Sequence, residues 1–382
     1  MIAGWVGALS LGVWIYLLLA RGRFWAIKVE DMPAYNPTLP GCRIAVIVPA
    51  RDEAPVIART VDSLLRQDYL GPVQIFLVDD HSSDNTADIA KCAAEESGNA
   101  NRLTVIQAGP LPDGWTGKLW ALSEGVQAAS SFAPDYYWFT DADVVHAADD
   151  LSSLFARAET GGFDLVSMMV KLRCESFAER MLIPAFVFFF FKLYPPRWVA
   201  SPEKRTAAAA GGCILIRPAA LTRAGGIAAI RDQLIDDCAL ARAVKREGGR
   251  ISLGLSSRAK SLREYGTFQE IGRMIARSAF TQLNHSTVLL CAVICAMAIT
   301  YLAPIVLLGS GRWPAAFGLA AWLLMTVTYW PTVRWFKLSP RWAPLLPFTA
   351  LFYLGATIVS ALQYWAGQGG VWKGRVQDLA KS

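Results

Sequence analysis

The chain has 382 residues, 54% of them apolar, with a formal net charge of +6 and a mean hydropathy above zero. That length holds one large or two ordinary domains, and that apolar content argues against an ordinary soluble enzyme. The basic residues fall beside the apolar segments rather than along one stripe, which points to a membrane surface and away from nucleic acid as the partner. Seven cysteines show no C-x-x-C pair and read as packing residues of a reducing compartment, and three histidines are too scattered for a zinc site by spacing alone.

Met1 to Ala20 is uncharged and apolar and is followed by Arg21, Arg23 and Lys28. A signal peptide carries its charge before the apolar stretch, so this order predicts an uncleaved anchor over 1–22 with its C-terminal side in the cytoplasm.

From Arg43 to about Leu255, short β-rich runs alternate with amphipathic helices. Strands are expected at Ile44–Val48, Val73–Val78, Leu103–Ile106, Tyr136–Thr140, Leu165–Val170 and Cys213–Ile216. Helices are expected at Ala54–Gln67, Asp84–Ser97, Lys118–Ser130 and Asp149–Glu159. Such alternation predicts an α/β domain of right-handed βαβ units, a mainly parallel sheet covered on both faces, with the site on loops leaving the strand C-termini. The apolar, aromatic run Met181–Phe191 is too short to span. Its basic and aromatic ending, up to Trp198, suits a helix at the bilayer interface, with a buried core helix as the alternative.

Beyond residue 286, Ser286 to Gly311, Trp313 to Val333 and Trp342 to Trp372 each reach the length of about 20 residues that crosses a bilayer. The basic link of Arg334, Lys337 and Arg341 belongs in the cytoplasm by the positive-inside rule. If all four apolar segments span, the basic tail 373–382 falls outside, against that rule. Pro344 and Pro347 offer a way out by making the last segment re-entrant, so the region 286–372 holds two or three spans.

Five stretches carry candidate chemistry. YYWFTDADVVH ends a buried strand on Asp141 and Asp143, paired carboxylates that suit a hard divalent cation able to bridge to phosphates. VIVPARDE, Val46 to Glu53, offers backbone groups and the Glu53 carboxylate to a base and ribose. VDDHSSDNT doubles Asp79 and Asp80 at the next strand end, with Ser82, Ser83 or Asp84 free to cap the following helix. LPDGWTGKLWAL places Lys118 near a helix N-terminus, favourable for phosphate. LIDDCALARAVKREG starts an amphipathic helix with Asp236 and Asp237, one of which can act as general base toward a hydroxyl.

In this order the stretches resemble the family 2 glycosyltransferases, over roughly Arg43 to Phe280. The resemblance implies a GT-A catalytic domain, placed at 40–283, with transmembrane helices at both ends. It implies a donor pocket for a nucleotide sugar, a UDP-sugar, lined by Pro49, Ala50, Arg51, Glu53, Asp79 and Asp80, with Lys118 and Asp141 also on the donor. It implies a Mg2+ or Mn2+ ion on Asp141 and Asp143, and Asp237 as base beside Asp236, where the family more often has Glu. His81 stands where the family commonly has Gly. Arg277 matches the arginine of the family's Q-x-x-R-W signature, and the Gln and Trp are missing, which tells against polymerisation. GWTGKLWAL, DDCALA, RSAFTQL and the C-terminal GGVWKGR narrow the likeness to the hopene-associated glycosyltransferases. That narrower likeness implies a lipid-related acceptor and a multi-pass protein of the bacterial inner membrane, catalytic domain inside. A processive polysaccharide synthase and a non-catalytic GT-A scaffold are the rival readings.

Overall fold

In the computed structural model the described residues are 1–26, 41–372 and 375–378. The expected domain start at residue 40 and, of the basic tail, residues 373, 374 and 379–382 lie outside them. The chain divides into two compact units, one of residues 28–172 and 198–263, the other of 1–27, 173–197 and 264–382.

The first unit is an α/β domain. After α1 (Ile2–Leu19) of the other unit, the chain runs β1 (Ile44–Ala50), α2 (Ile57–Leu65), β2 (Val73–Asp79), α3 (Thr86–Glu96), β3 (Leu103–Gln107), α4 (Gly117–Ala128), β4 (Tyr136–Thr140), β5 (Val144–His146), α5 (Asp150–Gly161) and β6 (Leu165–Lys171). After α6 (Phe177–Leu193) and the short α7 (Pro196–Ala200) follow β7 (Cys213–Ile216), α8 (Pro218–Arg223), α9 (Asp236–Arg246) and β8 (Ile251–Ser261). The eight strands form one sheet in the order β3-β2-β1-β4-β7-β6-β8-β5. The β3, β2, β1 and β4 run is parallel, β6 and β8 are parallel, and β7 and β5 run antiparallel to their neighbours.

Burial follows strand alternation. Ile44, Val46 and Val48 of β1, with Ile75 and Leu77 of β2 and Tyr136 and Trp138 of β4, face α2, α3 and α5. The other face takes α4, whose Gly125 lies so close to Ile47 and Val78 that a Cβ there would stand 2.4 Å from Ile47. Both faces are therefore covered, which is why β1 reads as an unbroken apolar run.

All six expected strands and four expected helices are present, with ends shifted by a few residues. Two strands escaped the pattern. β5 is only three residues long, and β8 has the mixed sequence ISLGLSSRAKS, whose polar second half lies at the β5 edge of the sheet.

The second unit gathers α1, α6, α10 (Phe268–Ala279) and the apolar C-terminal helices. Among the described residues four helices, at Ile2–Leu19, Thr287–Gly309, Arg312–Trp335 and Pro340–Trp365, are long and apolar enough to cross a membrane. Pro344 and Pro347 do not interrupt the last of these. Pro344 lies in a 3-10 turn, and Pro347 lies in the first turn of Leu346–Trp365, where a missing N–H costs nothing. Pro304 does have an effect: it cannot donate to the carbonyl of Thr300, the helix widens to a π turn over Ala298–Leu302, and Trp14 Nε1 of α1 donates to that carbonyl at 2.8 Å.

The helix expected at the bilayer interface is α6. Nine of its 17 residues are buried, and Thr349 Oγ1 and Tyr353 Oη donate to its Met181 and Leu182 carbonyls at 3.2 and 3.0 Å. Its start is a capping box on Ser176 and Glu179, and Arg21 donates to the Lys192 and Leu193 carbonyls at its end. At the end of the chain, β9 (Gly369–Trp372) pairs antiparallel with β10 (Arg375–Asp378), so part of the expected basic tail is strand.

Candidate active site

The C-terminal ends of β1, β2 and β4 meet at one sheet edge, with Ala50 paired to Asp79 in the register. Two loops leave that edge and are laced together. Asp80 N donates to the Ala50 carbonyl, Arg51 Nη1 donates to the Asp80 carbonyl at 2.7 Å, and Arg51 also pairs with the Asp80 carboxylate at 3.4 Å. Asp52 N donates to Ser82 Oγ, Glu53 N to Thr86 Oγ1 and Ala54 N to Asp84 Oδ2. Such polar side chains replace the ladder bonds that end with the strands, so the loops form one body.

This lacing answers three questions raised by the sequence. Asp79 and Asp80 are doubled because they do different work. Asp79 is buried and turns its carboxylate on Ser82 N, at 3.3 Å, holding its own turn, while Asp80 engages Arg51. His81 occupies a glycine position because its φ is +55°, in the left-handed region, and Gln107 Nε2 lies 3.3 Å from its Nδ1. The helix cap differs from expectation. Asn85 is the N-cap of α3 and makes no side-chain cap bond, and Asp84 accepts from Thr86 N at 3.2 Å instead.

Beside these loops a cleft is lined by Pro49, Lys118, Asp141, Gly211, Asp236 and Asp237, with apolar walls from Leu122, Phe139 and Ile230. Thr116 caps α4, with Leu119 N donating to its hydroxyl, and so places Lys118 in the first helical turn as expected. The ammonium of Lys118 bridges Asp141 at 2.9 Å and Asp236 at 3.2 Å. Burial disfavours that charge, but Asp141 and Asp236 outweigh burial and raise its affinity for the proton. Asp237, in the first turn of α9, accepts from Gly211 N at 2.9 Å and Cys238 N at 2.6 Å. Burial and the neighbouring Asp236 push its carboxyl up to about 6 against the pull of Lys118 and the two amides.

The metal expectation rests on Asp141 and Asp143. Asp143 is also pushed up to about 6, by burial, then by the charges of Asp141 and Glu53. An all-oxygen carboxylate set whose members repel one another is what a hard divalent cation neutralises, so these residues fit Mg2+ or Mn2+. Thr60 Oγ1 donates to the Ala142 carbonyl and Leu262 N to the Asp143 carbonyl, fixing the turn between the two aspartates.

The structure thus brings Pro49, Lys118, Asp141, Asp236 and Asp237 to one cleft. Asp143 and Glu53 act electrostatically on one another, while Arg277 belongs to α10 in the other compact unit. Sequence reasoning missed Gly211. An added Cβ would lie 3.4 Å from Lys118 Nζ and 3.6 Å from Asp237 Oδ2, and a glycine pair at 211–212 before a strand was the available signal.

Residues 45–223 match the family described as Glycosyl transferase family 2. This stretch is thus similar to the family 2 glycosyltransferases. Among curated proteins, an N-acetylglucosaminyltransferase of Rhizobium leguminosarum bv. viciae is 25% identical over 211 residues, 54% of this chain and 45% of the relative. The chain therefore spans under half the length of that relative. Among solved structures, a mannosyltransferase from Pyrobaculum calidifontis, solved with GDP-Man and Mn2+, is 20% identical with a TM-score of 0.58, over 94% of this chain and 99% of that one. At that identity the likeness shows the fold, a GT-A-like curled and mainly parallel sheet. A glucosyl-3-phosphoglycerate synthase from Mycobacterium tuberculosis, solved with Mg2+ and uridine diphosphate, is 20% identical with a TM-score of 0.42, over 64% of this chain and 79% of that one.

Proposed function

We propose that the glycosyltransferase domain moves a sugar from a nucleotide-sugar donor, a UDP-sugar, to a lipid-related acceptor with inversion at the anomeric carbon. The observation that carries this reading is the grouping of Lys118, Asp141, Asp236 and Asp237 in one cleft at the sheet edge. A single displacement needs a base on the acceptor side and positive charge on the leaving diphosphate. Asp237 is the base: two amides orient its carboxylate, and its raised proton affinity suits it to take the acceptor hydroxyl proton. Lys118, paired with Asp141 and Asp236, supplies cationic charge to the diphosphate. Arg51, Glu53 and Asp80, with the backbone of Pro49 and Ala50, receive the nucleoside. A Mg2+ or Mn2+ ion on Asp141 and Asp143 supplies neutralisation of diphosphate charge when bound.

The four apolar helices support a multi-pass protein of the bacterial inner membrane with the domain on the cytoplasmic side, where an amphiphilic acceptor already resides. A role in hopanoid metabolism rests on the sequence resemblance alone. The test is turnover by purified protein in bacterial lipid extract with Mg2+ or Mn2+, using a panel of radiolabelled nucleotide sugars and analysing the lipid phase. Label in a discrete lipid, lost in Asp237→Asn, is the expected result. Label in a high-molecular-weight polymer would replace this reading with a polysaccharide synthase, and metal-dependent donor binding without turnover would replace it with a scaffold.

A further inference from the structure

Behind the cleft lies a buried polar chain that the proposed chemistry does not use. His146 of β5 and Asp150 of α5 are both buried, and His146 Nδ1 lies 2.6 Å from Asp150 Oδ2. On its other side, His146 Nε2 lies 2.8 Å from Thr140 Oγ1. That hydroxyl also donates to the Gly212 carbonyl, at 3.0 Å. Cys213 completes a group of three possible metal ligands around His146. A metal reading does not hold, because both imidazole nitrogens are engaged and the His146–Asp150 distance is that of a hydrogen bond. The ring is further fixed by Trp138, whose centroid lies 4.6 Å away, and by Ser63 Oγ, which accepts from His146 N at 3.1 Å.

What the chain touches gives it meaning. Thr140 is joined by a peptide bond to Asp141. Gly212 follows Gly211, whose N–H donates to Asp237, and the preceding Ala210 is held at both its N–H and its carbonyl by Ser167 Oγ. Thr140 is therefore the only side chain among these that ties the strand bearing Asp141 to the loop supporting Asp237. We propose that Thr140, clamped by the buried His146–Asp150 pair, is a positioning residue that fixes the separation of Asp141 from Asp237 in the cleft. A pair on the donor side and a base on the acceptor side must keep a set distance across the transferred sugar, and a shift of about 1 Å is enough to cost about a hundredfold in rate. The inference rests on the functional reading above for its consequence, and on the hydrogen-bond chain alone for its existence.

Two variants and two readouts test it. Thr140→Val keeps the shape and loses the hydroxyl, and Thr140→Ser keeps the hydroxyl. In Thr140→Val, amide exchange over residues 208–213 should quicken about tenfold or more, since the loop loses one of its anchors. Its kcat for sugar transfer should fall about tenfold or more while donor KM and Mn2+-dependent donor affinity stay within about threefold, because misplacement affects the reacting geometry rather than the nucleoside pocket. Thr140→Ser should return both exchange and kcat to near the parent values. Unchanged exchange in Thr140→Val overturns the clamp, whether or not any donor is turned over. Quickened exchange with unchanged kcat overturns the positioning role, as does a serine variant as impaired as the valine one. If the parent protein transfers no sugar at all, the functional reading fails by itself, and the exchange comparison still decides the clamp.

Discussion

Two carboxylates stand in the first turns of helices in different parts of the molecule, Glu179 on α6 and Asp237 on α9, and their surroundings drive them in opposite directions. Burial works against the charge of Glu179, but the amides of Ser176, Tyr265 and Glu175, with Arg173 nearby, outweigh it and hold the group below the usual range. Asp237 receives two amides, yet burial and the adjacent Asp236 push it up to about 6. The lesson is that a helix start does not decide what an acid is for; the count of donors against like charges does. One carboxylate is committed to being ionised and fastens a helix. The other is left able to accept a proton.

The sharpest way to break this comparison is to remove the acid function of Asp237 and set the result against loss of Asp143. Asp237→Asn keeps the shape and one acceptor oxygen, so donor binding should remain near normal while transfer falls by about 10²–10⁴, the range of general base catalysis. Asp143→Ala should weaken both metal-dependent donor binding and transfer. Equal loss of donor binding in the two, measured by calorimetry with Mn2+, would undo the division of roles. Next in size is pH. Asp237 works only unprotonated, so kcat should fall about tenfold per pH unit below about 6. Glu179 has its folded value lowered, so its stabilisation is present above its ordinary value of 4.5 and is lost only as pH falls through the lower folded one. At pH 5 transfer should therefore be depressed while thermal unfolding in detergent is unchanged at this helix start. The smallest effect is Glu179→Gln, which exchanges charge-assisted bonds for neutral ones and should lower stability by about 1.5–3 kcal/mol with no change in the pH profile of transfer.

The sequence showed the parallel half of the sheet clearly, because β1, β2 and β4 are buried on both faces and so read as apolar runs ending in Ala50, Asp79 and Thr140. It was silent on β8, whose pairing with β6 and β5 is set by distant partners rather than by its own composition. The acidic residues of the cleft were legible because carboxylates at strand ends and helix starts are conspicuous. What holds them was not. Gly211 acts through its backbone N–H toward Asp237 and Thr140 through a single hydroxyl toward Gly212, both far along the chain, so apart from the glycine pair at 211–212 nothing nearby marks them. α6 reads as interfacial by its aromatic and basic ending, yet its burial depends on Thr349 and Tyr353, far along the chain.

The bond from Trp14 to the Thr300 carbonyl joins groups 286 residues apart. During synthesis the helix bearing Trp14 leaves the ribosome long before its acceptor is made, so this bond has to wait until the chain has reached Thr300. The bond can close only after the helix containing Pro304 has formed and the carbonyl opposite that proline has been left without its own donor. In the folded chain an early helix thus fills a gap left in a much later one. A copy made with α1 exchanged for another apolar helix lacking tryptophan would have no indole N–H to close that gap.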